Sequence, residues 1–263
     1  MTIDLLAEIY SAFDPFNPPP EGAYVQFNEV RGGWEVTEDL GRRVVRSSGP
    51  TCQLYSGHRG IGKSTELISL KRYLEREGYL VIYFAADTED IEPQDAEYAD
   101  ILIACVRHLA EAIKIKNHNP LLSWMKERWE SFKDLALTDM SFEMLSLEAQ
   151  IAQFAKITVN LRATPDKRRE IRKKINANTP SLVDAINDFI KQAEKTLPPD
   201  NKGICLIADN LDRIVETKEE GRQSNYDEIY LNRSEMLRAL DGVPESVAVT
   251  KCNKLKSTDI HRL

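Results

Sequence analysis

Residues 57–64 read Gly57-His58-Arg59-Gly60-Ile61-Gly62-Lys63-Ser64, which fits the spacing G-x-x-x-x-G-K-S/T. That spacing suits a polyanion. Glycines let the backbone turn its N–H groups inward around phosphate oxygens. A helix that begins at the end of the loop adds its unpaired N–H groups and the positive end of its dipole. Lys63 is placed to reach the β- and γ-phosphates of a triphosphate, and the Ser64 hydroxyl to ligate Mg²⁺. Thr65 stands where a side chain meets the α-phosphate. The expected ligand is ATP with Mg²⁺. Arg59 either touches phosphate or faces water, and His58 is expected to face solvent, with no metal partner near it in the sequence.

A second group lies far downstream. The apolar run 204–208 closes on Asp209-Asn210-Leu211-Asp212-Arg213. A carboxylate at a strand end can hold the Mg²⁺ shell, usually through water. Asp209 is the candidate, and its strand is expected directly beside the strand that leads into the loop. Asp212 could orient or deprotonate an attacking water. The plainer alternative is that the acids only cap a turn. Arg213 could serve as a finger toward a neighbouring subunit, but a salt bridge at a helix start is the favoured reading.

The elements that must position these groups can be read from periodicity. Residues 51–56 are a short apolar run ending in the glycine loop, which predicts a buried strand. Residues 64–77 place Leu67, Leu70 and Leu74 on one helical face, and Gly78 stops that helix. Residues 79–86 (YLVIYFAA) predict a second buried strand, making a βαβ unit with a parallel sheet. Helices are expected over 96–116, with Ile101, Cys105, His108 and Ala112 on one face, and over 121–135. Residues 141–162 are ambiguous, because 157–161 also fits a strand. A helix over 180–197 is expected to start at Thr179-Pro180. A third strand follows at 203–208, a helix at 228–240 and a fourth strand at 247–250. Upstream, 2–13 suits a short amphipathic helix, the proline-rich 14–22 a break, 24–30 an extended piece, and 37–45 a helix capped by Thr37.

The chain of 263 residues is 42% hydrophobic, enough for a substantial core, and carries a net charge of −7. An acidic chain is a poor general binder of nucleic-acid backbones. The basic residues 167–169 and 172–174 could contact nucleic acid or an acidic partner; the interspersed Glu170 favours a solvated helix face. Trp124 and Trp129 are read as packing. Four cysteines stand far apart without a C-x-x-C pair, so no zinc site is indicated, and Cys52 and Cys205 read as core residues. No run is long and apolar enough to span a bilayer, and the N-terminus lacks a signal-peptide pattern. A cytoplasmic protein in a reducing compartment is expected.

Taken together, GHRGIGKST and IADNLDRI resemble the P-loop NTPases of the additional-strand group, closest to the AAA-like regulatory ATPases of STAND and KAP type. Those carry an apolar strand ending in D-D-L-D-R or D-G-L-D; here an Asn stands at the second acid position, as Asn210. The resemblance covers about residues 24–90 and 200–240. It implies an α/β fold, a P-loop NTPase three-layer sandwich with a central, mainly parallel sheet. The long helical stretch between the second strand and the acidic strand is then an insert. The chain divides into a first half of the core at 1–90, a helical insert at 91–200 and a second half at 201–263. The resemblance also places Arg31, in Val30-Arg31-Gly32-Gly33, near the adenine. It implies partner contact through the insert and allows a homo-oligomer. The resemblance calls for a polar sensor strand, for which residues 247–253 are the candidate, and the family's lid is not recognisable before Leu263, which weighs against efficient hydrolysis more than against binding.

Three function classes follow. The first is an ATP-binding, Mg²⁺-dependent, ATP-hydrolysing switch, by analogy in prokaryotic signalling or antiphage defence. The second is a nucleotide-gated interaction module with little catalysis. The third is a phosphotransferase with an acceptor pocket near Asp87. Nucleic acid is not indicated as a partner, nor a membrane.

Overall fold

A computed structural model describes residues 36–47, 52–58, 60–115, 119–133, 141–217, 224–226, 229 and 247–251. The expected elements at 2–13 and 24–30 fall outside these, as does 228–240 apart from residue 229, and as do Arg31, Arg59 and Cys252.

The chain is mixed α/β and mostly helical. Helix α1 (Val36–Arg46) precedes strand β1 (Cys52–Ser56), and helix α2 (Lys63–Arg76) follows the glycine loop. Strand β2 (Tyr79–Ala85) leads into a single helical turn, α3 (Ala86–Glu89). Five helices come next: α4 (Tyr98–Ala112), α5 (Pro120–Glu127), α6 (Trp129–Phe132), α7 (Leu147–Ala163) and α8 (Pro165–Thr196). Strands β3 (Gly203–Asp209) and β4 (Val247–Lys251) follow, and short 3-10 turns lie at Pro93–Asp95, Phe142–Met144 and Leu211–Arg213. The strands pair in the order β1-β4-β3-β2, and every pair is parallel. All four carboxyl ends therefore lie along one edge of the sheet.

Strand β3 is buried along its whole length, as expected for a central strand of a covered parallel sheet. Its side chains and those of β2 divide between two clusters because successive residues face opposite ways. Tyr79, Val81, Cys205 and Ile207 pack with Leu67, Leu70 and Leu74 of α2 and Val44 of α1. Ile82, Phe84, Ile204, Leu206 and Ala208 share a second, larger cluster with the helices between β2 and β3. Helix α1 can lie close on α2 because Gly41 has no side chain: a Cβ there would sit 2.4 Å from the Tyr73 ring. Gly78 ends α2 at φ 93°, with its carbonyl accepting from Lys202 N at 2.9 Å, which ties the start of β2 to the start of β3.

Several expectations change. The stretch 157–161 is helix, not strand. Ile151, Phe154, Ile157 and Leu161 are buried while Val159 is 60% exposed, so a period-two strand would have buried the wrong residue. Helix α8 does not start at Pro180 but runs through it. Buried Ile171, Ile175, Leu182, Ile186 and Phe189 continue one apolar face across the proline. Around it, Asn178 Nδ2 and Thr179 Oγ1 donate to the carbonyls of Lys174 and Ile175 at 2.8 and 3.0 Å. The helix expected over 121–135 is two helices, broken at Arg128. Thr37 is no cap: it lies inside α1, and its hydroxyl donates to Glu66 Oε2 at 3.3 Å.

The basic stretch in α8 is not simply a solvated face. Arg168 and Arg172, one turn apart, are both buried. Arg172 forks onto Asp100, with Nη2 to Oδ2 at 2.5 Å and Nε to Oδ1 at 3.1 Å. It also reaches Asp95 and Glu97 through Nη1 at 3.0 and 3.1 Å. Arg168 pairs with Asp95 as well. The acids that precede α4 thus collect the charges of α8, and two of the six basic residues are structural. Burial pushes the Asp95 carboxyl upward, but the hydrogen bonds and charges of Arg172 and Arg168 together outweigh it and hold it below the usual carboxylate range. Trp124 is buried against Phe132 and Trp129 against Phe142, among the helices between β2 and β3, as packing residues.

Candidate functional site

The glycine loop joins the carboxyl end of β1 to the start of α2. Two of its glycines take a left-handed backbone. Gly60 and Gly62 sit at φ 86° and 87°, a region costly for any residue with a Cβ. At Gly60 an added Cβ would meet no atom within 4 Å, so the demand there is on the dihedral and not on space. Helix α2 begins at Lys63 with no side-chain cap on its first turn, and Glu66 N closes the turn onto Gly62 O at 3.0 Å. Ser64 and Thr65 are half-buried, His58 is exposed as expected, and Ile61 is 44% exposed.

Lys63 is only 7% exposed, and its ammonium is held on three sides. It donates to Gly57 O at 3.1 Å and His58 O at 3.0 Å, and it meets Asp212 Oδ2 at 2.8 Å. An ammonium has three protons. All three have an acceptor here, and the strongest of these acceptors is the Asp212 carboxylate.

The acidic strand end reaches the loop by a route the sequence reading did not foresee. Asp209 ends β3, and β3 is not beside β1: β4 lies between them. The expectation of adjacent strands is therefore wrong. Two inter-strand steps of about 4.8 Å separate β1 from β3. The long Lys63 side chain and the turn after Asp209 span that gap.

The turn itself is tightly held. Asn210 adopts φ 62°, ψ 15°, a left-handed conformation that Asn tolerates better than most residues. Its Nδ2 donates to Asp87 Oδ1 at 2.8 Å, and Arg213 Nη1 meets Asp87 Oδ2 at 2.5 Å. Asp87, just past β2, therefore clamps the end of β3, and Arg213 forms the salt bridge favoured by its sequence context. Asp209 is 1% exposed. Its Oδ1 accepts from the Asn210 N–H at 2.7 Å and its Oδ2 from the Tyr83 hydroxyl at 2.6 Å.

Tyr83 was missed by sequence reasoning. The only signal is a hydroxyl inside the apolar run 79–86, two residues before Ala85, which pairs in register with Asp209. Burial, and then the negative charges of Asp209 and Asp87, push its phenol well above the ordinary tyrosine range, so it stays a donor. Nearby, buried Asp90 accepts from Arg107 at 2.7 Å and contacts His108 Nε2 at 2.9 Å, and His108 stacks on Phe84 at 4.1 Å. That group fastens the segment after β2 to α4.

The described residues fit Mg²⁺ bound with a nucleotide better than a metal bound alone. Among them no three His, Cys, Asp or Glu side chains converge as a metal site. Ser64 and Asp209 offer a hydroxyl and a carboxylate, which suits an ion that takes its remaining ligands from water and phosphate. No described helix is long and apolar enough to cross a membrane. No protein-family model, no curated protein and no solved structure matches the chain.

Proposed function

We propose that this protein is an ATP-binding and Mg²⁺-dependent ATP-hydrolysing switch, built as a P-loop three-layer α/β/α sandwich of the additional-strand, AAA/STAND-like type. The observation that carries the reading is the 2.8 Å contact between Lys63 and Asp212. It brings the glycine loop and the acidic strand end to one point, although Lys63 and Asp212 are 149 positions apart (212 − 63). The strand inserted between β1 and β3 supports the additional-strand group over simpler P-loop folds. Apolar clusters on both faces of β2 and β3 support the sandwich.

In this reading the loop amides from Gly57 to Thr65 and the Lys63 ammonium bind the phosphates. Ser64 and Asp209 are the residues that would hold Mg²⁺, whose bound charge offsets that of the β- and γ-phosphates. Nucleotide entry exchanges the Asp212 carboxylate on Lys63 for a phosphate oxygen. Asp212 is then freed to orient water toward the γ-phosphate. The adenine contact of Arg31, partner contact through the helical insert and assembly of several copies belong to the same reading. A nucleotide-gated interaction module with little turnover is the second reading. It is favoured by Asn210, which puts an amide where a second carboxylate could act on water.

Lys63→Ala tests the assignment. Calorimetry or titration with a fluorescent nucleotide is expected to show ATP binding in the wild type and none in the variant. Equal affinities would reject the phosphate role of the loop. Steady-state phosphate release separates the two readings.

A further inference from the structure

Three carboxylates gather at the carboxyl ends of β2 and β3, and they are treated differently. Asp212 is paired with Lys63 and Asp87 with Arg213, each in direct contact with a cation. Asp209 is the most buried of the three, yet both of its hydrogen-bond partners among the described residues, the Asn210 N–H and the Tyr83 hydroxyl, are neutral. A buried carboxylate without a cation is costly. Held by a donor on each oxygen, the Asp209 carboxyl group is fixed in direction. An ionised carboxylate offers about four lone-pair sites. Two are used here, so one remains on each oxygen.

We infer that Tyr83 is the positioning residue for Asp209, orienting its carboxylate toward a divalent cation bound with the nucleotide. The inference rests on the nucleotide reading above. The geometry is specific to Tyr83. It lies on β2 one pleat before Ala85, the register partner of Asp209, so Tyr83 and Asp209 face the same side of the sheet, toward α2. Its ring packs at the edge of the cluster beneath α2, and that packing aims the hydroxyl along the strand to Oδ2. A lysine or arginine here would cancel the charge that the metal needs; a phenol orients without neutralising. A donor that holds a metal-ligating carboxylate in this way fixes the ligand atom before the ion arrives.

The test is Tyr83→Phe, which keeps the ring and removes only the hydroxyl. ATP affinity is measured on the full chain, with and without Mg²⁺, by calorimetry. The ratio of the two dissociation constants reports how much Mg²⁺ strengthens binding. In Tyr83→Phe the Mg²⁺-free affinity is expected to stay within about twofold of wild type, while the strengthening by Mg²⁺ falls by about tenfold. In an Asp209→Asn background, the same change is expected to have no further effect. An undiminished Mg²⁺ effect in Tyr83→Phe, or an equal loss of Mg²⁺-free affinity, would overturn the positioning role. Wild type that binds no ATP would instead sink the nucleotide reading on which it stands. A thermal melt of each variant shows whether loss of fold accounts for loss of binding; Tyr83→Met, which fills the space flexibly and carries no hydrogen-bond donor, serves as the second variant if Tyr83→Phe melts early.

Discussion

Replacing Asp212 by Asn offers the most direct probe of how the loop is held. Opposite unit charges at the 2.8 Å found between Lys63 and Asp212 attract by about 6 kcal/mol at an effective dielectric constant near 20, and by about 1.5 kcal/mol in bulk water. The pair is 7% and 11% exposed, so the larger figure describes the direct attraction better. Most of it is offset when a phosphate replaces the carboxylate on Lys63 and Asp212 regains water. A net barrier to exchange of about 1–2 kcal/mol remains, which corresponds to roughly 5- to 30-fold in affinity. Asparagine keeps the shape but not the charge. Asp212→Asn should therefore bind ATP about 5- to 30-fold more tightly than wild type when both are titrated without Mg²⁺. If Asp212 also orients water, turnover falls while affinity rises. Unchanged or weaker binding would refute the view that Asp212 competes with phosphate for Lys63.

Two other predictions concern the charge cluster of the insert. Arg172→Ala leaves Asp100 buried without its fork and should cost about 3–5 kcal/mol in a urea or guanidinium unfolding titration; a loss under about 1 kcal/mol would contradict the buried geometry. The carboxyl of Asp95 is held below its unfolded value, so its stabilising contribution is complete above about pH 4 and fades as pH falls through its lower folded value. Wild type should accordingly be more stable than Asp95→Asn at neutral pH, with the gap closing only in acid. A gap that does not change with pH would remove the ionic explanation.

Much of the candidate site is legible in the sequence because its demands are local. Gly60 and Gly62 are needed for positive φ, Lys63 must follow immediately, and the apolar runs on either side can only be a strand and a helix. The end of β3 is equally local: an uninterrupted apolar stretch that stops at Asp209. Strand order is not local, and so β4 could not be seen lying between β1 and β3. Neither could the partners of Asp87 and Asp212, since each is fixed by a residue more than a hundred positions away. The stretch 157–161 misleads because β-branched Ile157, Thr158 and Val159 favour a strand locally, while burial at Ile151, Phe154, Ile157 and Leu161 requires a helix. Pro180 misleads similarly, since its backbone preference for a first turn yields to the continuous apolar face of α8. Arg168 and Arg172 look like surface charges until the acids of residues 95–100 fold against them.

Lys63 and Asp212 are 149 positions apart (212 − 63), and the helices between them share one core with the strands that hold Asp209. The site is thus a contact of very high sequence separation. Such contacts form late, after the loop-closure entropy of the whole intervening chain has been overcome. A fragment ending within the insert would keep the glycine loop but lose its acidic counterpart. Under the nucleotide reading, ligand binding becomes a reporter of global folding, and saturating ATP raises the melting temperature of the insert and the sheet together.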